Sequence, residues 1–298
     1  KDTSLGSGSL TNSGFRNHSS YRGSQEWLFT VDGGLGDLKA NVFLKDSGTG
    51  EYWKVFDAKN FDYMPIADTG HGILMRTTHD APNGKVVLFD PQNPAPENWK
   101  TIIPEHEKDA LQHVFLQHDR LFGLYTHDCA DQVRIFDTKG KSLGDMPIPA
   151  QSTVEFSHAD IPGTSLGQRA PDSDQEDMFF KVTSFQQPGT VYKYNIRTNE
   201  FTPLDPKPDR PDLSDCVVEQ LWATSKDGTK IPMTVIRRPD VELDGTAALK
   251  MTGYGGHGYG QGPKFDAETV DFVRSGGIFV QTNVRGGGEF GMNWHEQG

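Results

Sequence analysis

Tyr254 is the side chain of this sequence best placed to do chemistry. It stands in Gly253-Tyr254-Gly255-Gly256, where an apolar run through Ala247, Leu249 and Met251 ends. A phenol on a turn between glycines can meet a ligand at close range, because no Cβ holds the backbone away. The same spacing also suits a tyrosine that simply packs in a turn. A second glycine-rich stretch, Arg285-Gly286-Gly287-Gly288-Glu289, follows a second apolar segment. Its three glycines permit positive φ and tight contact with the first stretch. Arg285 and Glu289 are spaced to pair and hold it, so we read it as a scaffold rather than a catalyst.

Three other patterns invite chemistry and fail on context. Gly253, Gly255 and Gly258 match the dinucleotide fingerprint, but Tyr259-Gly260-Gln261-Gly262-Pro263 prevents the helix that must follow at once. Gly163-Thr164-Ser165-Leu166-Gly167 has the letters of a nucleophile elbow, yet both its flanks are polar and proline-bearing where a strand and a helix are required. His71, His79, His106, His113, His118 and His127 have no zinc-ligand spacing and read as loop histidines. No metal or cofactor is expected. No credible serine elbow, with its later Asp and His, can be mapped onto this chain.

The elements that must position the two glycine stretches read as strand, turn, helix, strand, turn. Asp266 to Ser275 predicts a short helix with Val270 and Val273 on one face and Gly276-Gly277 as its stop. Gly277 to Val280 predicts the second strand. Such an order carries loops at strand ends, where α/β folds place their chemistry.

Upstream the chain is mainly β. Residues 1 to 24 are rich in Ser, Gly and Asn and read as a loop or frayed end. Short strands follow, among them Trp27 to Val31, Leu38 to Leu44, Tyr52 to Phe56, Ile73 to Thr77, Lys85 to Phe89, Val114 to Gln117, Arg120 to Thr126, Gln132 to Phe136, Met178 to Ser184 and Thr190 to Tyr194. A weak repeat starts at Asn41, Val86, Val133 and Val191, at intervals of 45, 47 and 58 residues, each an apolar strand closed by a turn-forming or polar residue. Periods of roughly 40–50 residues with four strands apiece mark propeller blades, of which about four are visible. A β-sandwich with irregular loops is the alternative. Pro203, Pro206, Pro208 and Pro211, interleaved with aspartates, predict a linker and a domain boundary near Pro206 to Ser214. Beyond it, Val217 to Thr224 and Ile231 to Arg237 flank an Asp227-Gly228 turn and predict a hairpin.

Composition narrows the partners. The 298 residues carry a formal net charge of −12 without a Lys/Arg block, which disfavours nucleic acid and anionic membranes. No apolar run is long enough for a transmembrane helix. Two cysteines, Cys129 and Cys216, exclude a disulfide framework and read as reduced thiols of a cytoplasmic protein. The sequence starts at Lys1 and stops at Gly298, just after the second glycine stretch; both ends read as cut, so a missing signal peptide says little.

These segments also carry a resemblance. TGYGGHG at Thr252 to Gly258 and NVRGGGEFGMNWH at Asn283 to His295 resemble the prolyl oligopeptidase family of serine peptidases. PEHEKDAL at Pro104 to Leu111, VTSFQQPGTVY at Val182 to Tyr192 and DGTKIPM at Asp227 to Met233 fit the same family in the same order. The resemblance implies a partial β-propeller over residues 1–208 and the first strands of an α/β-hydrolase domain over 209–298. It implies hydrolysis of short proline-containing peptides after proline, through an acyl-enzyme and without a cofactor, by a protein that is a monomer when intact. Tyr254 would donate its hydroxyl to the oxyanion of the tetrahedral intermediate. Gly255, Gly256, Arg285, Gly286, Gly287 and Gly288 would form the active-site scaffold. His257 stands where the family usually has the phenylalanine that helps wall the proline pocket, which puts the preference of that pocket in question. The nucleophilic serine and its Asp and His would lie outside this chain, and since oxyanion donors alone form no acyl-enzyme, the chain by itself is expected to be inactive. Two alternatives stay open: a related peptidase of other specificity, including a macrocyclase, and a non-catalytic propeller used for binding.

Overall fold

The structure is a computed structural model. It describes residues 16–20, 25–32, 39–46, 52–56, 62–90, 92–156, 176–204 and 212–298, the first four ranges as strands alone. Four four-stranded antiparallel sheets succeed one another along the chain, and within each the neighbours in space are neighbours in sequence. The first holds Arg16–Ser20 (β1), Gln25–Asp32 (β2), Lys39–Asp46 (β3) and Tyr52–Phe56 (β4). The second holds Tyr63–Asp68 (β5), Ile73–Thr77 (β6), Lys85–Phe89 (β7) and Lys100–Ile103 (β8). The third holds Ala110–Gln117 (β9), Arg120–His127 (β10), Ala130–Asp137 (β11) and Ser142–Asp145 (β12). The fourth holds Ser152–Phe156 (β13), Asp177–Ser184 (β14), Thr190–Asn195 (β15) and Phe201–Pro203 (β16). These are the blades that the repeat predicts.

The core lies between successive blades, and the pleat decides which side chain goes where. Leu121 and Tyr125 of β10 face the second blade, in a cluster with Leu74, Val86, Ile103, Leu111 and Val114. Phe122 and Leu124 of the same strand face the fourth blade, packed with Phe115, Val154, Phe180 and Tyr194. Phe115 and Phe122 stack with centroids 5.2 Å apart, and Phe156 and Tyr194 meet them edge-on. Each such side chain, fully buried, stabilises the fold by about 1.5–3 kcal/mol. A polar tie reinforces the same junction: Val154 N–H donates to Asp131 Oδ2 at 2.8 Å. Burial pushes the Asp131 carboxyl up to about 6, against the pull of that hydrogen bond.

After the blades comes a mixed sheet. Val217–Thr224 (β17) and Lys230–Arg237 (β18) form the hairpin around Asp227-Gly228, with Gly228 at φ 89°. Leu249–Gly253 (β19) pairs parallel with Ile278–Thr282 (β20), and the order is β17-β18-β20-β19. Ala267–Arg274 (α1) makes the crossover between the parallel strands. Asp266 caps it by accepting Thr269 N–H at 2.8 Å, Val270 and Val273 are buried, and Gly276 at φ 97° ends it. Gly291–Glu296 (α2) closes the chain. Phe185, at the end of the fourth blade, packs with Leu213, Cys216, Ile236, Val270, Val273 and Phe279, so one apolar cluster joins the two parts. Cys129 and Cys216 are both buried and free.

Several expectations need correction. Arg16–Ser20, inside the stretch read as loop, is a strand, because pairing to β2 satisfies its backbone whatever its polarity. Pro203, assigned to the linker, is the last residue of β16, an edge position where a missing N–H is tolerated. Residues 205–211 of that linker, and Gly163 to Gly167, lie outside the described residues. β5, β12, β13 and α2 had no counterpart in the sequence reading. Pro65 beside a register shift interrupts β5, and β12 is exposed throughout, so neither shows an alternating pattern.

Candidate active site

Tyr254 directly follows β19, which is paired on one side only and exposed along its length. Its side chain is itself exposed, at 43%. The phenol folds back over the turn: a Cβ on Gly256 would fall 2.8 Å from Tyr254 Oη. Gly256 is thus the residue that lets the hydroxyl lie across its own backbone. Tyr259 N–H donates to Gly256 O at 3.2 Å, and His257 (φ 58°) and Gly258 (φ 70°) turn the chain between them. His257 is exposed on that turn.

The second glycine stretch lies against the first. Gly258 N–H donates to Gly286 O at 2.9 Å, and His295 Nδ1 is 2.9 Å from the same carbonyl. A Cβ on Gly255 would stand 2.2 Å from Arg285 O, and one on Gly288 would stand 2.4 Å from Gly258 O. Gly286 needs glycine twice over: its φ is 94°, and a Cβ there would lie 1.9 Å from Gly255 O. The expected contact between the two stretches is therefore present at backbone level, and it brings Tyr254, His257, Gly255, Gly256, Arg285, Gly286, Gly287 and Gly288 into one neighbourhood.

The expected pair Arg285–Glu289 does not form. Arg285 reaches Asp227 on the β17–β18 turn, and its guanidinium also lies 3.3 Å from Ser225 Oγ. The Thr229 N–H and the Arg285 guanidinium hold the Asp227 carboxyl well below the usual carboxylate range. Glu289 instead points inward and is 1% exposed. Its Oε1 accepts from Gln261 N–H at 2.9 Å and from Asn283 Nδ2 at 2.8 Å. Asn283 Nδ2 also donates to Gln261 O at 2.6 Å. Two acceptors on one amide nitrogen fix which end of that side chain is which. The sequence reading missed Asp227 and Gln261 as supports; the Asp-Gly turn signal located Asp227 but not its partner, which is 58 residues away.

The stretch also docks on the propeller. Gln112 Nε2, from β9, donates to Gly288 O at 2.9 Å, and Met292 N–H donates to Pro82 O at 2.9 Å. Gly291 lies so close that a Cβ would meet Pro82 O at 2.6 Å. On the propeller His127 serves structure: its Nδ1 is 2.6 Å from Asp109, whose carboxylate also holds Arg134. No group of three or more His, Cys, Asp or Glu suited to a metal occurs among the described residues. A cleft of about 290 Å³ opens beside His127, Asp131 and Ile148; Tyr254 does not line it.

Residues 15–207 match the family described as prolyl oligopeptidase, N-terminal beta-propeller domain. A prolyl endopeptidase of Elizabethkingia meningoseptica is 30% identical over 269 residues, which is 86% of this chain and 36% of that protein. The dual function macrocyclase-peptidase POPB of Galerina marginata is 31% identical over 264 residues, 84% of this chain and 33% of that protein. This chain thus spans about a third of the length of the curated relatives it matches. Among solved structures, a prolyl endopeptidase superposes with a TM-score of 0.82 at 27% identity, over 95% of this chain and 40% of that one. Galerina marginata prolyl oligopeptidase B bound to a 25mer macrocyclization substrate gives 0.81 at 25%, over 95% and 39%.

Proposed function

The chain belongs to the prolyl oligopeptidase family, and from that premise we propose that the whole protein is a serine peptidase that cleaves short peptides on the carboxyl side of proline. Residues 1–208 supply part of the propeller. Residues 209–298 supply the opening strands of an α/β-hydrolase sheet, a reading supported by the parallel β19–β20 pair and its crossover helix. The exposed edge of β19, with Leu249 and Met251 both more than half exposed, supports further strands beyond it. The serine, aspartate and histidine of the triad come from residues outside this chain.

The observation that carries the proposal is the phenol of Tyr254, exposed on a glycine turn at the carboxyl end of a parallel strand. Ligands in open α/β sheets bind at that end. When the serine attacks the prolyl carbonyl, negative charge develops on oxygen, and Tyr254 Oη–H donates to it. Such a donor is worth most where charge develops, so its loss lowers kcat more than it raises KM. Tyr254→Phe in the whole protein is expected to lower kcat toward a proline peptide by about 10²–10³-fold with KM little changed. An unchanged kcat would remove Tyr254 from the chemistry.

A second outcome of the same acyl-enzyme is transfer to an amine rather than to water. It is favoured by the similarity to a dual function macrocyclase-peptidase. Mass analysis of products from a long peptide distinguishes a cyclic from a linear product.

A further inference from the structure

Glu289 is hard to explain as an ordinary loop residue. It is 1% exposed, and no Lys or Arg is among its hydrogen-bond partners. A buried carboxylate without a cation is costly unless hydrogen bonds hold it. Here one oxygen takes two of them, and those two come from different elements. Gln261 N–H belongs to the far end of the Tyr254 loop, and Asn283 Nδ2 stands just past β20. The near end of the same loop is fixed at Gly253, which pairs with Thr282. Among the described hydrogen bonds the far end at Gln261 is tied by Glu289, by Asn283 and, at 3.1 Å, by Gln281 Nε2, and Glu289 is the one of these partners that belongs to the second glycine stretch.

The backbone on either side of Glu289 is anchored elsewhere. Gly288 O takes the Gln112 side chain of β9, and Met292 N–H binds Pro82 O, both on the propeller. Cys129, on the β10–β11 turn of the propeller, is close enough that the Glu289 carboxylate adds to the upward push that burial gives its thiol. The carboxylate also fills the space beside Gly287, where a Cβ would meet Oε2 at 2.1 Å. Glu289 therefore sits between a segment docked on the blades and the loop that carries Tyr254.

We propose that Glu289 is a positioning residue for Tyr254: docked on the propeller through its neighbours, it holds the Tyr254 loop closed through Gln261 and Asn283. This rests on the reading of Tyr254 as oxyanion donor. A donor displaced by about 1 Å forfeits much of its effect, of order 10²-fold. The glycine-rich loop has little side-chain packing of its own to prevent that displacement.

The test is a mutant cycle in the whole protein. Glu289→Ala and Glu289→Gln are each made in the parent and in Tyr254→Phe, and kcat, KM and melting temperature are measured with one proline peptide. Glu289→Ala is expected to lower the parent's kcat by about 10–100-fold with KM within about threefold. Glu289→Gln keeps an acceptor oxygen and is expected to restore most of that loss. In Tyr254→Phe, Glu289→Ala is expected to cost less than about threefold more, because the two act through one donor. Losses that multiply in full, or a lowered melting temperature with kcat intact, would overturn the proposal. Should Glu289→Ala not fold, Asn283→Ala removes one of the two donors to Oε1 and is read by the same comparison. If Tyr254→Phe alone leaves kcat unchanged, the underlying assignment of Tyr254 fails, and the role of Glu289 falls with it.

Discussion

Gly286 shows how tightly single residues constrain this site. Its φ of 94° is strained for any residue with a Cβ, and that Cβ would also strike the Gly255 carbonyl at 1.9 Å. Gly286→Ala is expected to destabilise the fold by roughly 1–3 kcal/mol or more, read as a lower melting temperature, and to lower activity by separating the two loops. An alanine variant of wild-type stability and activity would contradict the interlocked geometry. Much of this was legible in the sequence: a tyrosine between glycines and a triple glycine downstream implied turns in close contact. The partner of Arg285 was not legible. Charge spacing within one loop suggested Glu289, but pairing across 58 residues is decided by where the β17–β18 hairpin turn lands. Once Asp227 takes the guanidinium, Glu289 is left to the interior.

The elements were readable where a run of apolar residues closes on a turn-forming or polar residue. The repeat at Asn41, Val86, Val133 and Val191 falls on β3, β7, β11 and β15, the third strand of each blade. The third strand reads most plainly because an apolar run there ends in a turn residue. The outer β12 is exposed on both faces and carries no such pattern, and β1 is polar, so backbone pairing alone defines them. Between the third and fourth blades, Asp131 makes a prediction at this scale. Its folded pKa, about 6, lies above the ordinary aspartate value, so burial disfavours the charged form. That contribution to stability is fully present below about pH 4 and is lost as the pH rises toward and through 6. Asp131→Asn keeps the acceptor for Val154 N–H and removes the charge. The variant is expected to gain on the wild type by about 1–3 kcal/mol between pH 4 and pH 7 in denaturant titrations. A gap between the two that does not change with pH would contradict it.

The whole molecule is organised by the seam between blades and mixed sheet. An apolar cluster around Phe185 and Leu213 closes one part of that seam, and the Gly288–Met292 segment, held by Gln112 and Pro82, closes another. Tyr254 therefore stands on a sheet whose loops are set partly by the propeller. The chain order, blades first and glycine loops last, was legible because the strand repeat and the two glycine stretches both show in the sequence. The contacts across the seam were not, since single side chains such as Gln112 make them. Peptide specificity of the whole protein decides the proposed function. The whole protein is incubated with a panel of short peptides that differ only in the residue before the scissile bond, and products are mapped by mass. Cleavage on the carboxyl side of proline is expected, blocked by a serine-directed phosphonate that adds once to the protein. A protein that takes no adduct and leaves every proline peptide intact would contradict it.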